Sequence, residues 1–255
     1  MATEVRAGSD GEQQLMLIYK KTTIPKLPMI ILVSLLFFLF LLSQFHIHRR
    51  TTAHSTAADL RIRHGYTSYD SHIERQLNKT LNPKLRKIWT TRDWDRKVSV
   101  FSAFFDSLKR RSLLSNHSKA LSIGARVGQE VAALKLVGVE DSVGIDLVPR
   151  PPLVVEGDFH AQPFDDETFD FEFSNVFDHA LYPWKFVGEI QRTLKSGGVC
   201  VLHVALSRRT DKYSANDLYS VRPLVELFNR SDLVEVNKVD GFGLDTEVVF
   251  RKKIK

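Results

Sequence analysis

The sequence predicts a doubly wound, mostly parallel α/β sheet carried behind a single N-terminal membrane helix. Three observations predict it. From residue 119 onward, short apolar runs of strand length alternate with stretches of helical period, the pattern of βαβ units. The first run ends in a turn holding Gly124 and Gly128, and the second ends in Asp146, 22 positions after Gly124. Residues 27–45 include 19 consecutive positions without a charge, and about 20 apolar residues cross the hydrocarbon core as a helix.

Composition narrows the function classes. Apolar residues make up 43% of the 255 positions and charged residues 26%, which excludes a disordered chain. One cysteine, Cys200, excludes an internal disulfide framework and a multi-thiolate zinc site. The net charge of +6 is uneven. Residues 1–113 carry 19 Lys and Arg against 9 Asp and Glu, whereas residues 114–255 carry 17 against 21. A nucleic-acid-binding domain concentrates basic residues in its folded body. This body is mildly acidic, so no nucleic-acid partner is expected.

The uncharged run leads into Ser43, Gln44, Phe45 and His46 and then Arg49 and Arg50, without the small-residue cleavage site of a signal peptide. Residues 27–48 are therefore read as a retained anchor behind a tail of residues 1–26. Lys20, Lys21 and Lys26 on one side nearly balance Arg49, Arg50, Arg61 and Arg63 on the other, so charge leaves the orientation open. Three glycosylation sequons begin at Asn78, Asn116 and Asn229, and they use three of only seven asparagines. They favour a type II single-pass protein with a lumenal body in the Golgi or endoplasmic reticulum. The terminal Lys252, Lys253 and Lys255 fit a cytosolic retrieval pattern, but are read as a solubilising tail.

Residues 49–92 are read as stalk and linker. The first part is polar. Four histidines lie from His46 to His64, but their irregular spacing and the absence of a carboxylate pattern favour solvated juxtamembrane residues over a metal site. Residues 65–90 show no clean period, and Asn82-Pro83 ends whatever helix precedes it. Residues 93–114 form an amphipathic helix, capped by Asp93 or Asp95, with Val98, Phe101, Phe104, Phe105, Leu108 and Leu113 on its core face. Strands follow at 120–123, 142–145, 153–155, 169–173 and 199–204, with helices at 129–136, 183–194 and 221–228. Strands at 233–239 and 247–250 close the sheet as an antiparallel pair. The folded domain is residues 93–255, with its core at 115–207.

In such a sheet ligands lie beyond the carboxyl ends of the strands, at the point where strand order reverses. Gly124 and Gly128 let the first turn approach a ligand closely. Asp146 ends the second strand, where a carboxylate binds the two hydroxyls of an adenosine ribose. Asp158 ends the third, in reach of an adenine edge, with Phe159 beside the adenine face. Asn175 ends the fourth, at the mouth where substrate meets cofactor. Either aspartate alone could be a turn former; their joint order and spacing favour the ligand reading.

The set resembles the class I S-adenosylmethionine-dependent methyltransferases, in particular their type 11 small-molecule branch, over residues 115–207. Residues 120–128 are similar to the family's first motif. The run from Gly157 through Phe164, Asp165 and Phe169 to Asp170 is similar to its adenine loop and fourth strand. Glu189, Arg192, Leu194, Gly197 and Gly198 resemble the turn before its fifth strand. With its anchor, the whole chain resembles a plant group of membrane-anchored methyltransferase-like proteins. The resemblance implies a seven-stranded Rossmann-like sheet and S-adenosyl-L-methionine as cofactor. It also implies methyl transfer to a small-molecule or glycan acceptor, with rate supplied by proximity and orientation.

Asp178 and His179 are the candidates for proton removal near the mouth, with His160 and Tyr182 behind them. Two positions depart from the family pattern. The acidic residue that opens the first motif is Ser122, and the middle glycine is Arg126, which could clamp a methionine carboxylate or fill the space that the cofactor tail needs. These departures keep a second reading open, a non-catalytic membrane-tethered module. A dehydrogenase would carry the fuller G-x-G-x-x-G loop and a hydrolase the G-x-S-x-G elbow; neither is present.

Overall fold

The computed structural model describes residues 59–66, 68–206 and 212–254, together with Leu35 and Phe38. The expected anchor at 27–48 otherwise lies outside the described residues. Among the described residues, no helix is long and apolar enough to cross a membrane.

The chain enters through a short strand, β1 (Leu60–Ile62), and three helices, α1 (Tyr69–Thr80), α2 (Pro83–Thr90) and α3 (Trp94–Arg110). The α/β body follows as β2 (Ala120–Ile123), α4 (Gln129–Leu136), β3 (Ser142–Asp146), β4 (Val154–Glu156) and β5 (Phe169–Ser174). It continues through α5 (Pro183–Thr193), β6 (Leu194–Val204), β7 (Asn216–Leu218), α6 (Arg222–Leu227), β8 (Ser231–Gly241) and β9 (Leu244–Lys252).

Seven strands form one sheet in the order β4-β3-β2-β5-β6-β9-β8. The first five run parallel, and β9 is antiparallel to both β6 and β8. The chain winds outward from β2 to β4, then returns to pair β5 on the other side of β2. The strand order thus reverses between β2 and β5, which opens a crevice at their carboxyl ends. All four residues of β2 are buried, as suits a strand covered on both faces.

The phenylalanines of α3 lie as their spacing predicts. Phe101, Phe105 and Leu108 are buried against Phe171 and Phe173 of β5, and Phe105 meets Phe173 edge to face at 5.3 Å. The other sheet face packs Leu121, Ile123 and Ile145 against Phe177, Phe186 and Ile190. Helix α3 stops at Arg110 rather than 114, yet Leu113 and Leu114 remain buried. Asp93 occupies the cap position without making a cap bond; its carboxylate accepts instead from Arg92 Nε at 2.9 Å.

The segment read as stalk and linker contains β1, α1 and α2, all bonded to the α/β body. β1 pairs antiparallel with β7, and Arg63 grips Asp217 through two bonds of 2.9 and 2.6 Å. Ser68 and Ser71 form a capping box at the start of α1. Asn82 caps α2, with Pro83 in its first turn. Gln76 of α1 donates to the Tyr213 carbonyl at 2.8 Å, and the Trp89 carbonyl accepts from Gln129 at 2.8 Å.

Candidate functional site

The turn from β2 into α4 is held from three sides. Gly124 takes φ +72°, and a Cβ there would lie 2.3 Å from Val176 Cγ2, so the turn packs against the exit of β5. Gly128 starts α4 at φ +85°, where a Cβ would meet that of Leu153 at 2.7 Å. Between them Arg126 is also left-handed, at φ 53°, a conformation that costs a non-glycine residue about 1 kcal/mol. Its backbone N–H donates to Asp146 Oδ2 at 2.9 Å, and Val148 N–H reaches Oδ1 at 3.4 Å. Asp146 is thus a brace for the turn as well as a strand-tip acid. Burial pushes its carboxyl above the ordinary range, against these bonds and the Arg126 charge.

A cavity opens above this turn. The strand tips give Gly124, Arg126, Asp146, Asp158 and Phe159, and α1 roofs them with His72, Ile73 and Gln76. Its volume is about 50 Å³, room for a few waters but far below the several hundred Å³ of a small-molecule site.

The roof is latched at Tyr69, which donates its phenol hydrogen to Asp158 Oδ2. His160 N–H donates to Oδ1 of the same carboxylate at 2.8 Å. His160 Nε2 accepts the Tyr182 N–H at 3.3 Å, which places the ring proton on Nδ1, where it faces Asp158 Oδ1 at 3.1 Å and the Tyr69 oxygen at 2.8 Å. His160 is therefore fully used in holding the roof. Burial raises Asp158, but the His160 and Tyr69 hydrogen bonds overcome this and hold the carboxyl below its ordinary range. Burial, then the bond to Asp158, pushes the Tyr69 phenol well up. His72 is wholly buried in the roof with neither ring nitrogen bonded. Burial, aided by His160 and His179, lowers it to about 4.

A second cavity of about 280 Å³ adjoins the first, sharing Lys79, Arg126, Val176 and His179 with it. Lys97, Glu130, Asn175, Asp178 and Phe242 complete its wall. The Arg126 guanidinium lies 4.5 Å over the Trp89 ring and borders both cavities. Burial, then the Arg126 charge, lowers Lys97 to about 8. Asp178 and His179 sit on a 3-10 turn, Phe177–His179, that follows β5. Ser214 donates to Asp178 Oδ2, and His179 Nε2 is 3.9 Å from that oxygen. His179 Nδ1 is 3.0 Å from Gln76 Oε1. Because Gln76 Nε2 is spent on Tyr213, its oxygen faces the imidazole, and the proton of the neutral ring resides on Nδ1.

The structure therefore gathers Gly124, Arg126, Asp146, Asp158 and Phe159 around one cavity, and Arg126, Asn175, Asp178 and His179 around the next. Gly128 borders neither and shapes the entry to α4. Sequence reasoning missed α1 and its Tyr69, His72 and Gln76, along with Lys97 and Glu130. The Ser68–Ser71 capping pair at the start of α1, with Asp70 in its first turn and Lys79 in its last, was the local signal for that helix. Among the described residues, no group of His, Cys, Asp and Glu could hold a metal.

Residues 121–202 match a family model described as a methyltransferase domain. Among solved structures, the fold is similar to the Burkholderia thailandensis 1,6-didemethyltoxoflavin-N1-methyltransferase, which holds 1,6-didemethyltoxoflavin and S-adenosylhomocysteine. The TM-score is 0.56 at 15% identity, over 77% of this chain and 95% of that one. It is also similar to a structure of the Haloferax volcanii Trm112 methyltransferase activator in complex with a protein described as a methyltransferase. There the TM-score is 0.53 at 17% identity, over 71% of this chain and 98% of that one. No curated protein matches the sequence. The matched segment runs from β2 into β6 and contains the turn, Asp146, Asp158 and Asn175. The segment that matches the methyltransferase-domain model thus forms the core of a Rossmann-like α/β fold shared with these structures.

Proposed function

We propose that this chain transfers a methyl group from S-adenosyl-L-methionine to a small-molecule or glycan acceptor. The observation that carries the reading is the convergence of Gly124, Asp146 and Asp158 on one cavity that opens into a second beside Asp178 and His179.

The residues fit the cofactor chemically. A carboxylate has about four acceptor positions; Asp146 accepts from the Arg126 and Val148 amides and is also met by that of Leu147, which leaves an acceptor for a ribose hydroxyl. Phe159 supplies an apolar wall for a purine. The space beneath α1 is smaller than the cofactor, so this reading includes a lifting of α1 and release of the Tyr69–Asp158 bond. When bound, the cofactor supplies a methyl group already activated by its sulfonium. The chain's own part is to orient, to exclude water beneath α1 and to hold a proton. With its Nδ1 proton directed at Gln76, His179 can accept an acceptor's proton at Nε2, and Asp178 at 3.9 Å favours the resulting imidazolium.

Titration of S-adenosylhomocysteine into the full chain in detergent tests the donor. Saturable binding is expected; absence of heat at millimolar ligand overturns the reading.

We also propose that residues 27–48 anchor the protein and that its body faces the lumen of the Golgi or endoplasmic reticulum. The resemblance to membrane-anchored plant proteins supports this, as does the exposure of all three sequon asparagines: Asn78 on α1, Asn116 and Asn229 in turns. Endoglycosidase treatment of the expressed chain should increase its mobility; an unchanged band would favour a cytosolic body.

A further inference from the structure

Glu130 stands in the first turn of α4, two residues after the left-handed Gly128. It is 6% exposed. One carboxylate oxygen accepts from Asn175 Nδ2 at 3.2 Å, and the other, Oε2, is buried with no hydrogen-bond partner. Burying a polar oxygen without a partner is costly, and for a carboxylate more so. Folded proteins leave few such atoms, and each calls for an explanation.

The placement indicates what the ligand group is. Glu130 lines the second cavity, which adjoins the first across Lys79, Arg126, Val176 and His179. A molecule whose nucleoside end meets Asp146 and Asp158 extends its tail past Arg126 towards Glu130. The wall it reaches carries both signs of charge: Glu130 faces the same cavity as Lys97 and Arg126. An α-amino acid tail presents an ammonium and a carboxylate on one carbon, and this cavity offers partners for both: Glu130 and Asp178 are its carboxylates, and Lys79, Lys97 and Arg126 its cations.

Resting on the donor reading above, we infer that Glu130 receives the α-ammonium of the cofactor's methionine end, while Lys97 and Arg126 receive its carboxylate. Burial raises the Glu130 carboxyl above its ordinary range, opposed by the Lys97 charge, a bond from its own backbone N–H, the Arg126 charge and the Asn175 amide. Asn175 then acts as a positioning residue: its amide holds Oε1 and leaves Oε2 for the ligand.

The test compares two ligands that differ only in this tail. S-adenosylhomocysteine carries the amino acid; 5′-methylthioadenosine ends at the thioether. Both are titrated calorimetrically into the full chain and into the Glu130→Gln and Lys97→Met variants. Each variant should weaken S-adenosylhomocysteine at least tenfold and leave methylthioadenosine within twofold. The retained methylthioadenosine affinity reports that the pocket is still folded. Unchanged S-adenosylhomocysteine affinity in Glu130→Gln overturns the inference, as does equal weakening of both ligands, which would make Glu130 a structural support. If the unaltered chain binds neither ligand, the donor reading itself fails and this inference with it. Binding of methylthioadenosine alone leaves a nucleoside site but overturns the amino-acid subsite.

Discussion

Tyr69 and Asp158, 89 positions apart in the chain, are joined by a hydrogen bond that closes α1 over the tip of β4. The same carboxylate lines the cavity proposed above for the nucleoside. On that proposal roof and ligand draw on one acceptor, and opening of the roof accompanies binding.

Tyr69→Phe removes the latch and leaves the ring stacked on Tyr182, whose centroid is 5.4 Å away. A hydrogen bond to a charged group is worth about 1.5–3 kcal/mol, part of which Asp158 recovers through His160. Stopped-flow mixing should show S-adenosylhomocysteine associating several-fold faster than with the unaltered chain. An unchanged association rate would mean that α1 does not gate entry.

Asp146→Asn keeps the shape and loses the charge. Its carboxylate both braces the Arg126 amide and faces the cavity. Calorimetry should report S-adenosylhomocysteine binding weakened roughly tenfold or more, in line with the loss of a charge-assisted bond. Affinity within twofold of the original would remove Asp146 from the ribose site.

Gly124→Ala meets two obstacles: φ of +72° and a Cβ position 2.3 Å from Val176 Cγ2. Strain of this kind costs on the order of 1–3 kcal/mol, so the melting temperature should fall by several degrees. Adding Val176→Ala should restore part of the loss by removing the clash and leave the backbone share. A single substitution that melts like the parent would show that the turn is not packed as described.

Acid should loosen the roof through His72. Its folded value of about 4 lies below the ordinary 6.5 of an unfolded chain. As pH falls, the unfolded state takes up the proton first. The stability gained from a neutral His72 is complete above about pH 6.5 and is lost as pH falls towards 4. His160, His179 and Arg75 oppose the charged ring, and Asp158 favours it. Thermal melts from pH 7 to pH 5 should fall more steeply for the unaltered chain than for His72→Leu. Parallel curves would mean that other groups set the acid limb.

The parts of the site that were legible from the chain are those whose cause is local. Gly124 and Gly128 stood out because left-handed turns favour glycine. Asp146 and Asp158 stood out because an acid at a strand end interrupts an apolar run. The Phe101–Phe105 stripe followed from helical period. Glu130 was passed over because a glutamate in the first turn of a helix is ordinary in sequence, and only packing reveals that one of its oxygens has no partner. Lys97 was hidden for the same reason on α3.

The sequence by itself determined the alternation of strands and helices, the turn after β2 and the acids at the strand tips, since each depends on residues within a few positions of one another. Only the tertiary structure decided that residues 59–90 belong to the folded body and that α1 roofs the cavity. Those contacts, Tyr69 to Asp158, Gln76 to Tyr213 and Arg63 to Asp217, link positions about 90 to 150 apart. Pairings that distant are selected by complementary side chains meeting in the folded chain, and no local period encodes them.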